Sequence, residues 1–517
     1  MLTAKNNVAY IRAEVMQRVA KSFVENGLSD IDEVLEELAG SKNFRRNPEA
    51  EKAALKGQIL AAMGFLPQEV DANRDLKDFA AEALARTQAA RAGLSVIKAA
   101  CNACRSKMYE VTPMCQACVA RPCETNCAKK AITVTDKAFI EQDKCIKCGL
   151  CATYCPYGAI HKSVVPCEEP CPVNAIKKDA DGREEIDIEK CISCGKCLQS
   201  CPFGAIVYNS QMIDVLNALK NPAKKVVAMV APAILGQFGN DLGKVIAAYK
   251  ALGFDDVIEV AYGADFTSKN ESAEFVERME EGAPFMTTSC CPAYVKTAKV
   301  HVPEIEKFVS NTGSPMFYAA EVLKKRYPDA VSVFVGPCLA KRLEAENNPN
   351  VDYVLVFADV QAMFEAKGID INALEAAAFA DEASLQSRRY AISGGVAAAV
   401  ANLIDGRADY RPMKIDGLTK DAVKNLKRYA LKGLDDGCNM LEVMCCEGGC
   451  IAGPGCLSMP KKAAVVLEKY AAGGKNQEVK SIRWRQVMKG RRDAPFFMRY
   501  REIAQGKCRA GIYRGDL

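Results

Sequence analysis

The sequence contains 517 residues, 49% of them hydrophobic, with 69 Lys and Arg against 64 Asp and Glu and a net charge of +5. This is the composition of an ordinary globular protein of several domains. It excludes a strongly basic surface, so no nucleic-acid partner is expected. No apolar run reaches the ~18 residues that a membrane span requires, so no membrane span is expected either. The unusual count is cysteine, 25 residues against only two histidines. The opening MLTAKNNVAYIRAEVMQRV lacks the apolar core and small-residue cleavage site of a secretory signal, which points to the cytoplasm. In a reducing compartment, many cysteines at regular spacings predict metal binding rather than disulfides.

Residues 1–95 carry no cysteine. DIDEVLEELAG and AALKGQILAAMGF space their apolar residues three and four apart, which predicts amphipathic helices and a helical N-terminal cap that packs or docks without chemistry of its own. Residues 96–210 hold sixteen cysteines, from Cys101 to Cys201, and a near-repeat: DKCIKCGLCATYCPYGAI and EKCISCGKCLQSCPFGAI. From 211 to 480, short β-rich runs (KVVAMVAP, DVIEVA, VSVFVGP, YVLVFADV) alternate with helical stretches such as SAEFVERMEE. That alternation predicts α/β architecture with largely parallel sheets. Residues 481–517 read as a basic helical tail whose charges form a solvated face.

Each copy of the near-repeat spells Cys-x2-Cys-x2-Cys-x3-Cys-Pro, the rhythm by which bacterial ferredoxins ligate cubane iron–sulfur clusters. Zinc also accepts thiolates, but this spacing given twice favours iron–sulfur. By resemblance to two-cluster ferredoxins, Cys145, Cys148, Cys151 and Cys201 would hold one [4Fe-4S] cluster, and Cys191, Cys194, Cys197 and Cys155 the other. Upstream, Cys115, Cys118, Cys123 and Cys127 follow a variant spacing with Ala128 in place of the usual proline. Cys101-x2-Cys104 and Cys167-x3-Cys171-Pro are half-motifs that together supply one more set. The pairing among these eight stays open, and the region is expected to hold two to four clusters.

Ligands of open α/β sheets sit beyond the carboxyl ends of the strands. Three cysteine-bearing loops occupy such places: TTSCCPAYVK after AP-F-M, GPCLAKRLEA after VSVFV, and EVMCCEGGCIAGPG after a short LEVM run. These loops resemble, in order, the three signature motifs of the [FeFe]-hydrogenase catalytic domain. The resemblance implies a multidomain α+β and α/β protein: a helical cap, a ferredoxin-like domain and a two-lobed α/β catalytic domain. The two lobes would close on an H-cluster, a [4Fe-4S] cubane joined through a cysteine sulfur to a two-iron unit with CO, cyanide and a bridging dithiolate. Matched residue by residue, Cys291, Cys338, Cys446 and Cys450 become the cubane ligands, with Cys450 bridging. Cys290 is then free to face the other way as a proton donor and acceptor, a role suited to a thiol of tunable acidity.

Glu271, Glu274 and Arg278 fall on one face of a helix. Alone they would read as a solvated face, but their spacing resembles the family's proton relay, and Ser310 matches its intervening serine. The implied path runs Cys290, Glu271, Ser310, Glu274. Lys341 would hydrogen-bond a cyanide ligand and anchor the anionic cofactor, supported by Glu344. Pro232, Ala233 and Met444 match positions around the two irons, although Met444 also suits core packing. Several positions depart from the best-known members: Met316, Gly336, Tyr294, Cys445 and Glu447 stand where glutamine, methionine, tryptophan, alanine and proline are usual, and the third motif ends GPGC. These departures resemble the divergent subgroup called group B. Cys438, Cys456 and Cys508 match no ligand position, and spectator cysteine is the expected state for them and for Cys445.

The resemblance implies an enzyme that interconverts H2 with two protons and two electrons. The electrons would pass through the accessory clusters to a ferredoxin-like redox carrier, and maturation proteins would insert the two-iron unit. A hydrogen sensor of low turnover and a non-catalytic iron–sulfur assembly protein on the same fold are the rival readings.

Overall fold

The computed structural model describes residues 6–41, 44–45, 47–71, 73–106 and 108–472. The basic C-terminal stretch and Cys508 lie outside the described residues.

The N-terminal region forms helices Asn7–Asn26, Ile31–Ser41, Pro48–Ala62 and Leu76–Ala85. The first is capped by Asn6, whose side chain accepts from Ala9 N–H at 2.9 Å. The third starts with Pro48 directly after Asn47, whose side chain accepts from Glu49 N–H. Both starts satisfy amides that a first helical turn leaves unpaired. The first helix buries Ile11, Val15, Val19 and Phe23 and packs on helix Phe357–Ala366. One apolar core therefore runs from the N-terminal helices into the α/β part of the chain.

Four of the expected apolar runs form a parallel sheet, with Val226–Val230 between Asp256–Glu259 and Val331–Gly336, and Tyr353–Val356 beyond the latter. A second parallel sheet places Met440–Met444 between Met286–Thr287 and Pro412–Asp416. The strands preceding the three cysteine loops are thus Met286–Thr287, Val331–Gly336 and Met440–Met444. Fold class at this level is mixed α/β, as the alternating pattern predicts.

The cysteine-rich region differs from the expected arrangement. Strands Met108–Val111 and Ile160–Ser163 pair antiparallel, and Ile132–Val134 pairs with Ala138–Ile140, closing one small module with its own core. Leu94–Val96 pairs with Ile206–Tyr208, and Ile176–Lys178 with Glu184–Ile186, closing a second. The first module is inserted in the second: the chain leaves the second after Cys104, builds the first, and returns before Cys167. The two copies of the near-repeat consequently stand in different modules rather than facing each other in one.

Candidate active site and cysteine-lined recesses

Nesting decides which sulfurs meet. Cys115, Cys118, Cys123 and Cys155 line one recess. Cys101, Cys104, Cys167 and Cys201 line another. Cys171 stands beside Cys191, Cys194 and Cys197. Cys151 neighbours Cys145 and Cys148, and Cys127 packs in the same small core. The pairing of Cys201 with Cys145, Cys148 and Cys151, and of Cys155 with Cys191, Cys194 and Cys197, is therefore corrected. Strand pairing carries Cys155 back to the CQAC loop and Cys201 back to the CNAC loop.

The backbone treats the opening Cys-x-x-Cys of all four motifs alike. The residue before the second cysteine is left-handed in each: Ala103 (φ 46°), Ala117 (φ 47°), Lys147 (φ 60°) and Ser193 (φ 51°). Such a conformation is costly for non-glycine residues and is sustained only where the surroundings fix it. Here it turns amides toward sulfur, as with Lys147 N–H to Cys145 Sγ and Ser193 N–H to Cys191 Sγ, both 3.4 Å. At the far ends of the motifs, Ala131, Ala159 and Ala175 donate their amides to Cys127, Cys155 and Cys171 at 3.3 Å. The half-motif Cys101-x2-Cys104 is thus a fourth copy of the same device. Among the described residues no group of three or more His, Cys, Asp or Glu is arranged to hold a single metal ion.

The second candidate centre lies where the loops leave the two parallel sheets. Cys291 stands at the start of helix Pro292–His301, Cys338 follows strand Val331–Gly336, and Cys446 and Cys450 flank the turn after Met440–Met444. The four come together from both sheets: Cys446 adjoins Cys338, Cys450 and Cys291, and Cys450 adjoins Cys338 and Cys291. Burial, and then the Cys291 sulfur, push the Cys338 thiol up to about 12.

Lys341 projects toward the same place. Its buried Nζ donates to Ser314 Oγ at 3.0 Å and to Glu344 Oε2 at 2.6 Å, and Ser314 also bonds Glu344. Burial works against the ammonium charge, but Glu344 and the Cys338 and Cys290 sulfurs outweigh it and hold the group above its ordinary value.

Cys290, with Cys291 and Cys450 nearby, packs against Ala264, Tyr390, Val396, Ala399 and Met444. Burial, then Glu271, raise its thiol well above the usual range. On helix Val260–Glu280, Glu271 is 0% and Glu274 7% exposed, which rejects the solvated-face reading. Glu271 Oε1 accepts from Ser289 N–H at 3.3 Å, while its buried Oε2 has no partner. Burial, followed by Glu274, raises the Glu271 carboxyl to about 8. Glu274 accepts from Ser310 Oγ (2.7 Å), Thr312 Oγ1 (3.0 Å), Asn311 N–H (2.9 Å) and Arg278 Nη2 (2.6 Å). Arg278 also donates to the carbonyls of Lys307 and Val309.

The remaining predicted positions serve packing as well. Ala233 is fully buried in the turn Pro232–Ile234 beyond strand Val226–Val230. Met444 belongs to the apolar group around Cys290, and Met316 lies in the core behind the four-stranded sheet. The hydroxyl of Tyr294 bonds Thr287 Oγ1 at 2.8 Å. Two side chains stand out only in three dimensions. Glu442 accepts from Gly394 N–H (2.7 Å) and Ala397 N–H (2.8 Å) at the start of helix Gly395–Ile404, fixing the wall that Val396 and Ala399 present to Cys290. Tyr390 Oη bonds Ser268 Oγ at 2.7 Å beside the same thiol. The glutamate that opens EVMCC was the available signal for the first; nothing local marked the second. Cys445 is buried in the apolar core that also takes in Cys194 and Cys291, and Cys456 Sγ approaches the Cys450 carbonyl at 3.6 Å.

Comparison with known proteins matches residues 224–454 to the iron only hydrogenase large subunit, C-terminal domain. Residues 138–161 match a 4Fe-4S binding domain and 163–212 the LdpA Fe-S cluster-binding domain. The chain is [FeFe]-hydrogenase-like. It is 28% identical to Iron hydrogenase 1 of Clostridium pasteurianum over 304 residues, 48% of this chain and 52% of that protein, so it spans about half that relative's length. It is 28% identical to the periplasmic [Fe] hydrogenase large subunit of Nitratidesulfovibrio vulgaris over 380 residues, 62% of this chain and 86% of that one. It is also 24% identical to cytosolic iron-sulfur assembly component 3 of Bos taurus over 273 residues, 42% and 57% of the two chains. The chain is thus similar to hydrogenases over its α/β part and to iron–sulfur-binding domains over residues 138–161 and 163–212. Among the described residues no helix is long and apolar enough to cross a membrane.

Proposed function

We propose that this chain is an [FeFe] hydrogenase interconverting H2 with two protons and two electrons. The observation that carries the proposal is the division of labour between neighbours: Cys291 joins the four-sulfur group, while Cys290 faces a buried carboxylate file. A protein that only holds cubanes has no use for the second half of that arrangement.

The residues fit an H-cluster. Four half-buried thiols crowded together would repel one another as thiolates, a donor set that suits a bound iron cluster. Cys291, Cys338, Cys446 and Cys450 would hold the cubane, and Lys341 supplies a buried cation beside them for an anionic ligand. When bound, the two-iron unit supplies the centre for heterolytic cleavage of dihydrogen. The chain's own residues move the proton. Cys290 takes it up and passes it to Glu271, whose raised affinity lets it hold a proton near neutral pH. Ser310, whose hydroxyl bonds Glu274 at 2.7 Å, lies beside Glu271 on the way between the two carboxyls, and Arg278 fixes Glu274 near the outside. Ser289 N–H and Ser314 orient Glu271 and Lys341 respectively.

In the same reading, residues 1–95 are a packing region, 96–210 carry four accessory clusters that exchange electrons with a ferredoxin-like carrier, and 211–480 form the catalytic domain. Maturation proteins insert the two-iron unit, and the setting is cytoplasmic. The departures at Met316, Gly336 and Glu447 favour a divergent subgroup resembling group B. The likeness to cytosolic iron-sulfur assembly component 3 favours a second reading, a non-catalytic assembly protein. Infrared spectra of anaerobically purified protein, co-expressed with hydrogenase maturation proteins, separate the two. CO and cyanide bands are expected; their absence in protein with its cubanes intact supports the assembly reading.

A further inference from the structure

Of fourteen large apolar side chains that stand exposed among the described residues, eight fall between Met114 and Val164, in the first cysteine module. The same stretch holds an excess of cations. Residues 105–164 carry nine Lys and Arg against five Asp and Glu, so this small module supplies four of the chain's five net positive charges. Exposed apolar side chains gathered in one place and rimmed by polar groups mark a contact site.

The two features meet around one group of sulfurs. Cys148 is exposed, unlike Cys145 and Cys151 beside it. Ile146 is 60% exposed, and Leu150 and Tyr154, one turn apart at the ends of the short helix Leu150–Tyr154, are 42% and 50% exposed, while that helix buries Cys151. Lys147 stands between Ile146 and Cys148, and Lys129 and Lys130 follow Cys127, which shares a core with Cys145 and Cys151. Lys144 pairs with Glu141 at 2.7 Å, but Lys129, Lys130 and Lys147 form no ion pair among the described residues. Asp143 is the exposed acid of this loop.

We infer that this face is the docking surface for a small acidic one-electron carrier protein of the ferredoxin class, which meets the cluster held by Cys127, Cys145, Cys148 and Cys151. This rests on the accessory-cluster reading and adds to it the place of contact and the charge of the partner. An exposed ligand brings the edge of that cluster to the surface, and electron transfer needs such an approach. Contacts between redox partners are small, and opposite charge supplies their encounter rate and orientation. A second copy of this chain would set the same lysines against one another, and like charges brought together oppose association. An anionic membrane would satisfy the lysines but would give an exposed cluster ligand nothing to exchange with. In the transfer the carrier loses one electron and the cluster gains it; no bond forms or breaks and no proton moves. The electron continues through the second module, whose Cys194 packs with Cys291 and Cys338 in one apolar core.

The test uses the full chain carrying its [4Fe-4S] clusters, verified by iron content and EPR, without the two-iron unit. Binding of an acidic plant-type [2Fe-2S] ferredoxin is measured by calorimetry at low and at high salt. Wild type is expected to bind, with an affinity that falls as salt rises. The triple variant Lys129→Glu, Lys130→Glu, Lys147→Glu is expected to lose about tenfold or more at low salt, a loss that Lys427→Glu, on the exposed face of helix Lys420–Lys432, does not reproduce. Leu150→Ser is expected to weaken binding at both salt concentrations. Equal binding by wild type and the triple variant overturns the surface, as do a dimer of this chain that closes over it and phosphatidylserine vesicles that bind the chain where ferredoxin does not. An iron-loaded chain that fails to bind refutes the surface alone, whereas a chain that holds no iron at Cys148 refutes the accessory-cluster reading and the surface with it.

Discussion

A single carboxyl shows how strongly the interior acts on chemistry. Glu271 is buried with one oxygen unpartnered and its proton affinity raised to about 8, against an ordinary value of 4.5. Because the folded state holds this proton more tightly than the unfolded chain, this group's contribution to stability is fully present below about pH 4.5 and is lost as pH rises toward 8. Glu271→Gln removes that titration. Thermal unfolding of cluster-loaded protein should therefore show a flatter pH dependence in the variant and a higher midpoint than wild type at pH 9; equal slopes would mean that Glu271 is not held protonated. Gly336 makes a second residue-scale case. A Cβ there would meet the Phe334 ring at 2.6 Å and Ala231 Cβ at 3.2 Å, so the small residue keeps the strand's end in place. Gly336→Ala is expected to cost about 1–3 kcal/mol by overpacking, read as a lowered unfolding midpoint.

At the scale of elements, the ligand loops were legible because each is contiguous: strand, cysteine motif, turn. The relay glutamates were legible as a helical face but not as a buried one, since Glu271 and Glu274 carry no local sign of what packs over them. Cluster pairing was not legible from the two long motifs, because it depends on Leu94–Val96 finding Ile206–Tyr208 across the inserted module. A quieter signal was present. All four motif ends run Cys, three residues, then Ala-Ile, at Ala131, Ala159, Ala175 and Ala205, and in three of them that alanine's amide reaches sulfur. The pairing has a direct consequence for iron content. Cys101→Ala and Cys201→Ala should each remove about four irons, and the double variant no more than either alone; Cys145→Ala with Cys201→Ala should be additive at about eight. Additivity for the first pair would return Cys201 to the other module.

For the whole molecule, the arrangement is a line. The first module has its own core and leaves Cys148 exposed, the second shares the main core, and its Cys194 loop docks on the catalytic sheets. Gly195→Ala puts a Cβ against Pro454 in a left-handed backbone, so it should weaken this docking. Dye-linked hydrogen oxidation, which needs electrons to leave through the accessory clusters, is expected to fall several-fold. Isotope exchange at the centre should remain, because it needs none. The alternating strand pattern revealed the mixed α/β class, but which sheet each strand would join was hidden, since short parallel strands carry no register beyond burial.

The central claim, that Cys290 and its carboxylate file serve hydrogen activation, is tested most directly by HD formation from D2 in ordinary water. The protein should be matured and kept free of oxygen, and wild type compared with Cys290→Ala. The account predicts clear exchange in wild type and its loss, on the order of a hundredfold or more for a removed proton-transfer group, in a variant whose infrared spectrum still shows the two-iron unit. Wild-type protein with that unit in place and no exchange, or a variant that exchanges as fast as wild type, would contradict it.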